Sequence, residues 1–265
     1  MKFELNKIYN GNTLELLPQL GDDSIDLIVC DGPYGVTNNE WDKIQDIQSY
    51  NLNLIKTFSR VLKQGGSLYL FGKDDCIDFI DYRPYLNLNR KIIWYQPSRL
   101  AQGRLNYTNN YDLIAYFSKG KPNTFNLDDI RVEQMVNARH RSRCENSPSV
   151  IYGDFTKTRF NVNGKNPGDV WADISQLTYK SKELIDKELL NTIQKPEKLI
   201  ERIVRASSNI GDIVLDPFCG VGTAFAVCKR LRRDFIGFEM NKEFIEITEK
   251  RVKDVKIEKK CKRLF

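Results

Sequence analysis

Apolar runs of strand character alternate with amphipathic helical stretches along this chain, and that alternation narrows its fold more than any other feature. Residues 25–30, 67–71, 91–95, 113–117, 213–215 and 235–238 read as strands. Helical periodicity covers about 47–62, 196–208, 223–231 and 242–255. A strand followed by a helix that crosses back over the sheet pairs parallel with its successor, so an α/β fold with a mainly parallel sheet is expected. Gly65-Gly66 reads as the C′ stop of the first of these helices. Between 119 and 190 the pattern lapses into a polar stretch rich in Asn, Arg and Lys, with a turn signal at Asn166-Pro167-Gly168. So long a stretch without sheet patterning reads as an inserted functional region.

Bulk properties exclude some classes. At 265 residues the chain can bury one substantial core. No apolar run approaches bilayer length, and the start Met1-Lys2-Phe3-Glu4 carries no signal-peptide apolar region, so a cytoplasmic location and no membrane partner are expected. The six cysteines form no CxxC pair and there is one histidine, His140, so no zinc-ligand spacing can be assembled and no metal is expected. Reduced, buried thiols are the simpler reading of those cysteines. A net charge of +6 mildly favours an anionic partner such as nucleic acid.

Two strand ends concentrate the chemistry. The first is Asp216-Pro217-Phe218-Cys219-Gly220-Val221-Gly222-Thr223, where a short apolar strand gives way to a glycine turn and a helix. Ligands of open α/β sheets sit at the carboxyl ends of the strands, and glycines there let backbone approach them. The third glycine of a dinucleotide fingerprint would fall at Phe225, so that pattern is incomplete. The next strand ends in Glu239, whose carboxylate can accept hydrogen bonds from both hydroxyls of a ribose. An adenosine-bearing ligand suits this arrangement. A structural βαβ turn with Asp216 as a cap explains the glycines alone equally well.

The second is Asp31-Gly32-Pro33-Tyr34, which breaks the strand 25–30. An exocyclic amine on a nucleic-acid base is a poor nucleophile because its lone pair is delocalised into the ring. Two acceptors on its hydrogens, the Asp31 carboxylate and the Gly32 carbonyl, favour a pyramidal nitrogen and stabilise the positive charge that develops there. Tyr34 offers a surface on which an extruded base can stack. Taken singly, this segment is also an ordinary Gly-Pro turn.

The string Asp216–Thr223 is similar to the D-P-F-x-G-x-G-T cofactor motif of amino-group DNA methyltransferases, whose loop wraps the methionine end of S-adenosylmethionine. Asp31–Tyr34 resembles their D-P-P-Y catalytic motif, with Gly32 replacing the first proline: the carbonyl survives but a rigid φ is lost. With the catalytic segment first and the cofactor segment later, the chain resembles the permuted β class, many of whose members belong to restriction–modification systems. The resemblance implies a Rossmann-like methyltransferase fold, a seven-stranded mainly parallel sheet with one antiparallel strand. It divides one catalytic domain into a catalytic half (1–118), a target-recognition insertion (119–190) and a cofactor half (191–265).

The resemblance also implies residue roles. Asn12 matches a position near the cofactor adenine, and Trp41-Asp42 a common W-D after the catalytic motif. Thr192-Ile193-Gln194-Lys195-Pro196 resembles an H-P-T-Q-K-P element leading a helix to the cofactor, with Asn191 and Ile193 departing from it. Gln194 and Lys195 are thus candidate cofactor contacts beside Asp216, Phe218, Gly220, Gly222, Thr223 and Glu239; Pro196 is equally explained as a helix-start proline. Candidate DNA contacts are Arg99 and Arg104 in the catalytic half and Arg131, Arg139, Arg141 and Arg143 in the insertion, although a solvated basic surface accounts for the cluster as well.

The implied reaction is methylation of adenine N6 in double-stranded DNA after base flipping. Asp31 favours adenine, since cytosine-N4 enzymes of this type more often begin the motif with Ser; a cytosine-N4 enzyme and a catalytically weakened DNA-binding homologue are the alternatives. Cytosine carbon-5 methylation needs a thiolate, usually after proline, and no Pro-Cys occurs. Further partners implied are a second copy of the chain, as a homodimer, and a separately acting cognate restriction endonuclease.

Overall fold

The computed structural model describes residues 3–35, 42–99, 107–133, 163–185 and 194–258. In chain order the elements are β1 (Lys7–Asn10), α1 (Thr13–Leu16), β2 (Ile25–Cys30), α2 (Ile47–Val61), β3 (Leu62–Gly72), α3 (Asp74–Ile77), β4 (Asn87–Tyr95), β5 (Tyr111–Ser118), α4 (Leu127–Ile130), β6 (Val170–Trp171), α5 (Glu197–Ser207), β7 (Ile213–Asp216), α6 (Thr223–Leu231), β8 (Asp234–Glu239) and α7 (Lys242–Asp254). The strands form one sheet in the order β1-β8-β7-β2-β3-β5-β4-β6. Among these strands β5 alone runs against the rest, pairing antiparallel with both β3 and β4. No helix among the described residues is long and apolar enough to cross a membrane.

The period-two alternation of β2 divides its side chains between two cores. Ile28 and Cys30 join the layer under α2, with Leu54, Ile55, Phe58 and Val61. Leu27 and Val29 join the opposite layer, with Leu199, Ile200 and Ile203 of α5 and Ala224 and Val227 of α6. The α2 residues recur at helical spacing, and burying each contributes about 1.5–3 kcal/mol. Asp46 caps the start of α2, accepting from Ser49 N at 3.0 Å.

This winding creates a switch point. From β2 the chain moves outward through α2 to β3; from β7 it moves the other way through α6 to β8, and β2 and β7 lie side by side. A crevice opens at the carboxyl ends of the strands where the direction reverses. The two motif-bearing strands flank it.

Two expectations change. The sheet has eight strands rather than seven, because the two-residue β6, drawn from the polar middle, adds an edge to β4. Two residues are too few for a periodic signal. Gly65-Gly66 does not end α2: the helix stops at Val61, the chain passes directly into β3, and Gly65, with φ +81°, sits where the β2–β3 register shifts. Its N–H donates to Lys119 O at 2.8 Å and its carbonyl accepts from Asn123 N at 3.0 Å, so the glycines serve a sheet irregularity. Part of the polar middle is also docked on the scaffold. Trp94 Nε1 donates to Ile174 O at 2.8 Å, and Arg202 of α5 forks onto Asp173 at 3.0 and 2.5 Å while lying 5.0 Å over the Trp171 ring.

Candidate active site

Strand β7 ends in Asp216, nearly buried, whose Oδ1 accepts from Phe218 N at 3.1 Å and so starts the turn. Gly220 N donates to Glu239 Oε2 at 2.9 Å, and Asn241 N donates to Glu239 Oε1 at 2.8 Å. Each oxygen of Glu239 keeps a further lone pair. Gly222, with φ +74°, precedes α6 in the left-handed region, and a Cβ there would lie 2.1 Å from Thr248 Cγ2. Thr248 also donates to Gly220 O at 3.0 Å, so α7 supports the turn from behind. Arg251 completes that support, donating to Val221 O and Thr223 Oγ1, each at 3.1 Å, and to Glu197 at 2.7 Å. Phe225, in place of a third fingerprint glycine, packs onto β8 at Gly237, where a Cβ would stand 2.2 Å from the ring.

Asn12 caps α1 on the same edge, its Oδ1 accepting from Leu14 N at 2.9 Å. Neighbouring groups tie that segment to the turn: Gly11 N donates to Glu239 O at 3.0 Å, and Thr13 Oγ1 donates to Pro217 O.

Asp31 follows directly on the last residue of β2. Tyr34 donates its hydroxyl to Asp31 Oδ1 at 2.6 Å, and Lys195 Nζ donates to Oδ2 at 2.5 Å. Beyond Tyr34, the buried Asp42 accepts from Tyr34 N at 2.6 Å and Gly35 N at 2.8 Å, fixing the exit of the loop. Gly32 packs against Phe218: a Cβ on it would approach the ring edge to 3.0 Å. The two motifs are therefore in direct contact.

Burial governs the electrostatics. It pushes the Asp216 carboxyl up to about 8, with the charges of Asp31 and Glu239 adding to the rise and Lys195 opposing it. Burial likewise raises Glu239, against the hydrogen bonds from Asn241 and Gly220. Burial first, and then the nearby carboxylates Asp216 and Asp31, drive the Cys30 thiol well up, so this cysteine beside the loop stays protonated and is no nucleophile. The Tyr34 phenol is raised in the same way by burial and Asp31, and remains a donor.

The other candidates are placed as follows. Both amide atoms of Gln194 serve main chain: Nε2 donates to Glu183 O at 2.6 Å, and Oε1 accepts from Ile185 N at 3.1 Å. Arg99 is tied inward, to Tyr111 O at 2.9 Å and to Asp112 Oδ2 at 2.7 Å. Burial disfavours ionised Asp112, but hydrogen bonds from Lys73 and Arg99 outweigh it and hold the carboxyl below its usual range. Arg131 bonds Asp128 at 2.7 Å and Gly164 O at 3.0 Å, bracing the bridge between Val132 and Lys165. Arg104, Arg139, Arg141, Arg143, His140, Trp41 and residues 191–193 lie outside the described residues. Among the described residues, no cluster of three or more His, Cys, Asp or Glu side chains could hold a metal ion. The supports from Thr248 and Arg251 were not legible in sequence, since nothing local to α7 marks them.

With this geometry in view, the N6/N4 DNA methylase family model matches residues 25–250, which include both motifs. The chain belongs to this DNA methylase family. The methylase is 32% identical over 251 residues to "Type II methyltransferase M1.MboII" of Moraxella bovis, covering 91% of this chain and 94% of that protein. It is 34% identical over 253 residues to "DNA adenine methyltransferase YhdJ" of Escherichia coli strain K12, covering 92% and 81%. Among solved structures it shares the fold of the PvuII DNA methyltransferase (cytosine-N4-specific), with a TM-score of 0.67, 18% identity and coverage of 97% of this chain and 89% of that one. The S-adenosylmethionine complex of M1.HpyAVI matches with a TM-score of 0.58 at 21% identity, covering 92% and 98%. The methylase therefore has the α/β fold of S-adenosylmethionine-dependent DNA methyltransferases.

Proposed function

We propose that the methylase transfers a methyl group from S-adenosylmethionine to the N6 amine of an adenine flipped out of double-stranded DNA. The observation that carries this reading is the contact between the two loops that follow neighbouring strands: Gly32, just after β2, packs against Phe218 of the glycine turn just after β7, at the switch point. The donor set fits the methyl donor. Glu239 retains lone pairs for two ribose hydroxyls, and the Gly220–Gly222 turn exposes backbone to the methionine end. Burial pushes the Asp216 carboxyl up to about 8, and a positive charge bound beside it would favour its ionised form. Asn12 and Thr223 border the same cleft. When bound, S-adenosylmethionine supplies an electrophilic methyl on a sulfonium.

The chain's own residues prepare the other reactant. Asp31 and the Gly32 carbonyl accept the two amine hydrogens, pyramidalise the nitrogen and direct its lone pair toward the turn. Methyl transfer to the nitrogen would leave the C–S electron pair on sulfur, and Asp31 is placed to take the surplus amine proton. The carboxylate stabilises the positive charge in a cleft where hydrogen-bond donors are already aligned. Tyr34 holds Asp31 through its hydroxyl and offers its ring to the flipped base.

Adenine is favoured by the Asp that opens the catalytic motif and by the 34% identity to a DNA adenine methyltransferase. Segment 119–190 serves target recognition, with Arg131 and the arginines of 139–143 at the phosphates and Arg99 and Arg104 nearer the base. The type II names of relatives support a cognate endonuclease acting separately, and a homodimer is the assembly consistent with the family; a cytoplasmic location follows from action on DNA. The test is incubation of unmethylated DNA with labelled S-adenosylmethionine, followed by nucleoside analysis. N6-methyladenine is expected, and Asp31→Ala should abolish it while binding of the methyl donor persists. N4-methylcytosine would overturn the choice of base, and no label in any DNA would overturn the activity.

A further inference from the structure

Family resemblance makes Lys195 a candidate cofactor contact, and its ammonium also meets the carboxylate of the other motif. Nζ donates to Asp31 Oδ2 at 2.5 Å, between the Tyr34 and Phe71 rings, whose centroids are 5.7 and 5.6 Å away. We propose that Lys195 is a positioning residue for methyl transfer, holding the Asp31 carboxylate in the orientation that receives the target amine. The inference rests on the methyltransferase reading above and adds to it the device that aims the acceptor.

The backbone on both sides of Lys195 is anchored. Gln194 spends both amide atoms on Glu183 and Ile185, while Glu183 Oε2 accepts from Glu197 N at 2.9 Å. The Glu197 carboxylate receives Arg230 at 2.5 Å and Arg251 at 2.7 Å, and Arg251 is the residue that also grips the glycine turn. Pro196, with φ −59°, restricts the one residue left between. A lysine on a loose segment would sample many rotamers. This one is delivered to a fixed point over two aromatic faces.

The carboxylate is held from two sides. Tyr34 binds one oxygen and Lys195 the other, so rotation about the Asp31 side-chain bonds breaks at least one charge-assisted bond. An ionised carboxylate has about four acceptor positions, so each oxygen still has a lone pair for an incoming amine. The arrangement aims the group without filling it. Stability is a poor explanation for the pair: both side chains are about one-fifth exposed, and the desolvation of such ions offsets most of their attraction. The need is clear from Gly32, which lacks the ring that would stiffen the loop. Side-chain bonds at Asp31, with Phe218 against Gly32, supply that constraint.

The test compares wild type, Lys195→Met, Lys195→Arg and Asp31→Asn in single-turnover methylation of unmethylated genomic DNA, with enzyme in excess and methyl donor saturating. Methionine keeps an unbranched stem between the rings and removes the charge. Lys195→Met should lower the single-turnover rate by about 10- to 100-fold, the scale of a small misplacement of reacting groups. Its affinity for S-adenosylmethionine, by calorimetry, should stay within about threefold of wild type, with an unchanged thermal midpoint. Lys195→Arg should recover part of the rate. A Lys195→Met protein with wild-type rate, or one whose only defect is weaker donor binding, would overturn the inference. If wild type transfers no methyl, the methyltransferase reading falls and this inference with it; if Asp31→Asn matches an active wild type, Asp31 is not the acceptor and this inference alone falls.

Discussion

Gly222→Ala tests the glycine turn most directly. The residue holds φ +74°, and for a residue with a Cβ that conformation costs about 1–2 kcal/mol. The added methyl would start 2.1 Å from Thr248 Cγ2, 2.8 Å from its Oγ1 and 2.9 Å from its Cβ, an overpacking cost of about 1–3 kcal/mol. The expected loss is about 2–5 kcal/mol, read as a lower urea midpoint with an unchanged slope. Thr248→Ser removes the closest atom and keeps the hydroxyl that donates to Gly220 O. Combined with Gly222→Ala it should return about 1–2 kcal/mol as a coupling energy, leaving the backbone cost in place. Calorimetry should show weaker S-adenosylmethionine binding in the single mutant and partial recovery in the double. A loss below about 0.5 kcal/mol, or strict additivity of the two substitutions, would refute the reasoning.

Other substitutions probe the remaining parts. Asp216 titrates near 8 in the fold, above its unfolded value, so the folded state holds a proton that the unfolded state has released. Its contribution is complete at low pH and is lost as pH rises from about 4 through 8, and thermal midpoints should fall over that window; Asp216→Asn should flatten that dependence and weaken methyl-donor binding. Asp42→Ala strands the amides of Tyr34 and Gly35, at about 1–3 kcal/mol each, and should reduce the methylation rate more than donor affinity. Gly32→Ala presses a Cβ to 3.0 Å from Phe218, so the ring must shift by a few tenths of an ångström. Donor affinity should suffer more than the urea midpoint, and equal effects on both would argue against a link between the motifs.

Much of the scaffold was legible because its signals are local. The periodicity expected over 47–62 became α2 (Ile47–Val61), and the apolar runs at 25–30 and 213–215 became the adjacent strands β2 and β7 at the switch point. The strings Asp31–Tyr34 and Asp216–Thr223, from which the proposed reaction was read, are each contiguous in the chain. Where the reading failed, the cause was non-local. Gly65 looked like a helix stop because both uses of glycine need the same φ, and only the pairing of β2 with β3 decides between them. The edge strand β6 exists because β4 offers it unpaired backbone, which no feature of Val170-Trp171 reveals.

By itself the sequence determined the α/β class, the order of the two motifs and the chemistry their side chains permit, because each is written in neighbouring residues. Tertiary structure alone decided which partners those side chains take. Gln194 turns inward to the main chain of Glu183 and Ile185, Arg99 to Asp112, and Lys195 crosses 164 positions of chain to Asp31. A charged side chain carries no local mark of its counter-ion, since only the packed fold brings residues so far apart in the chain together.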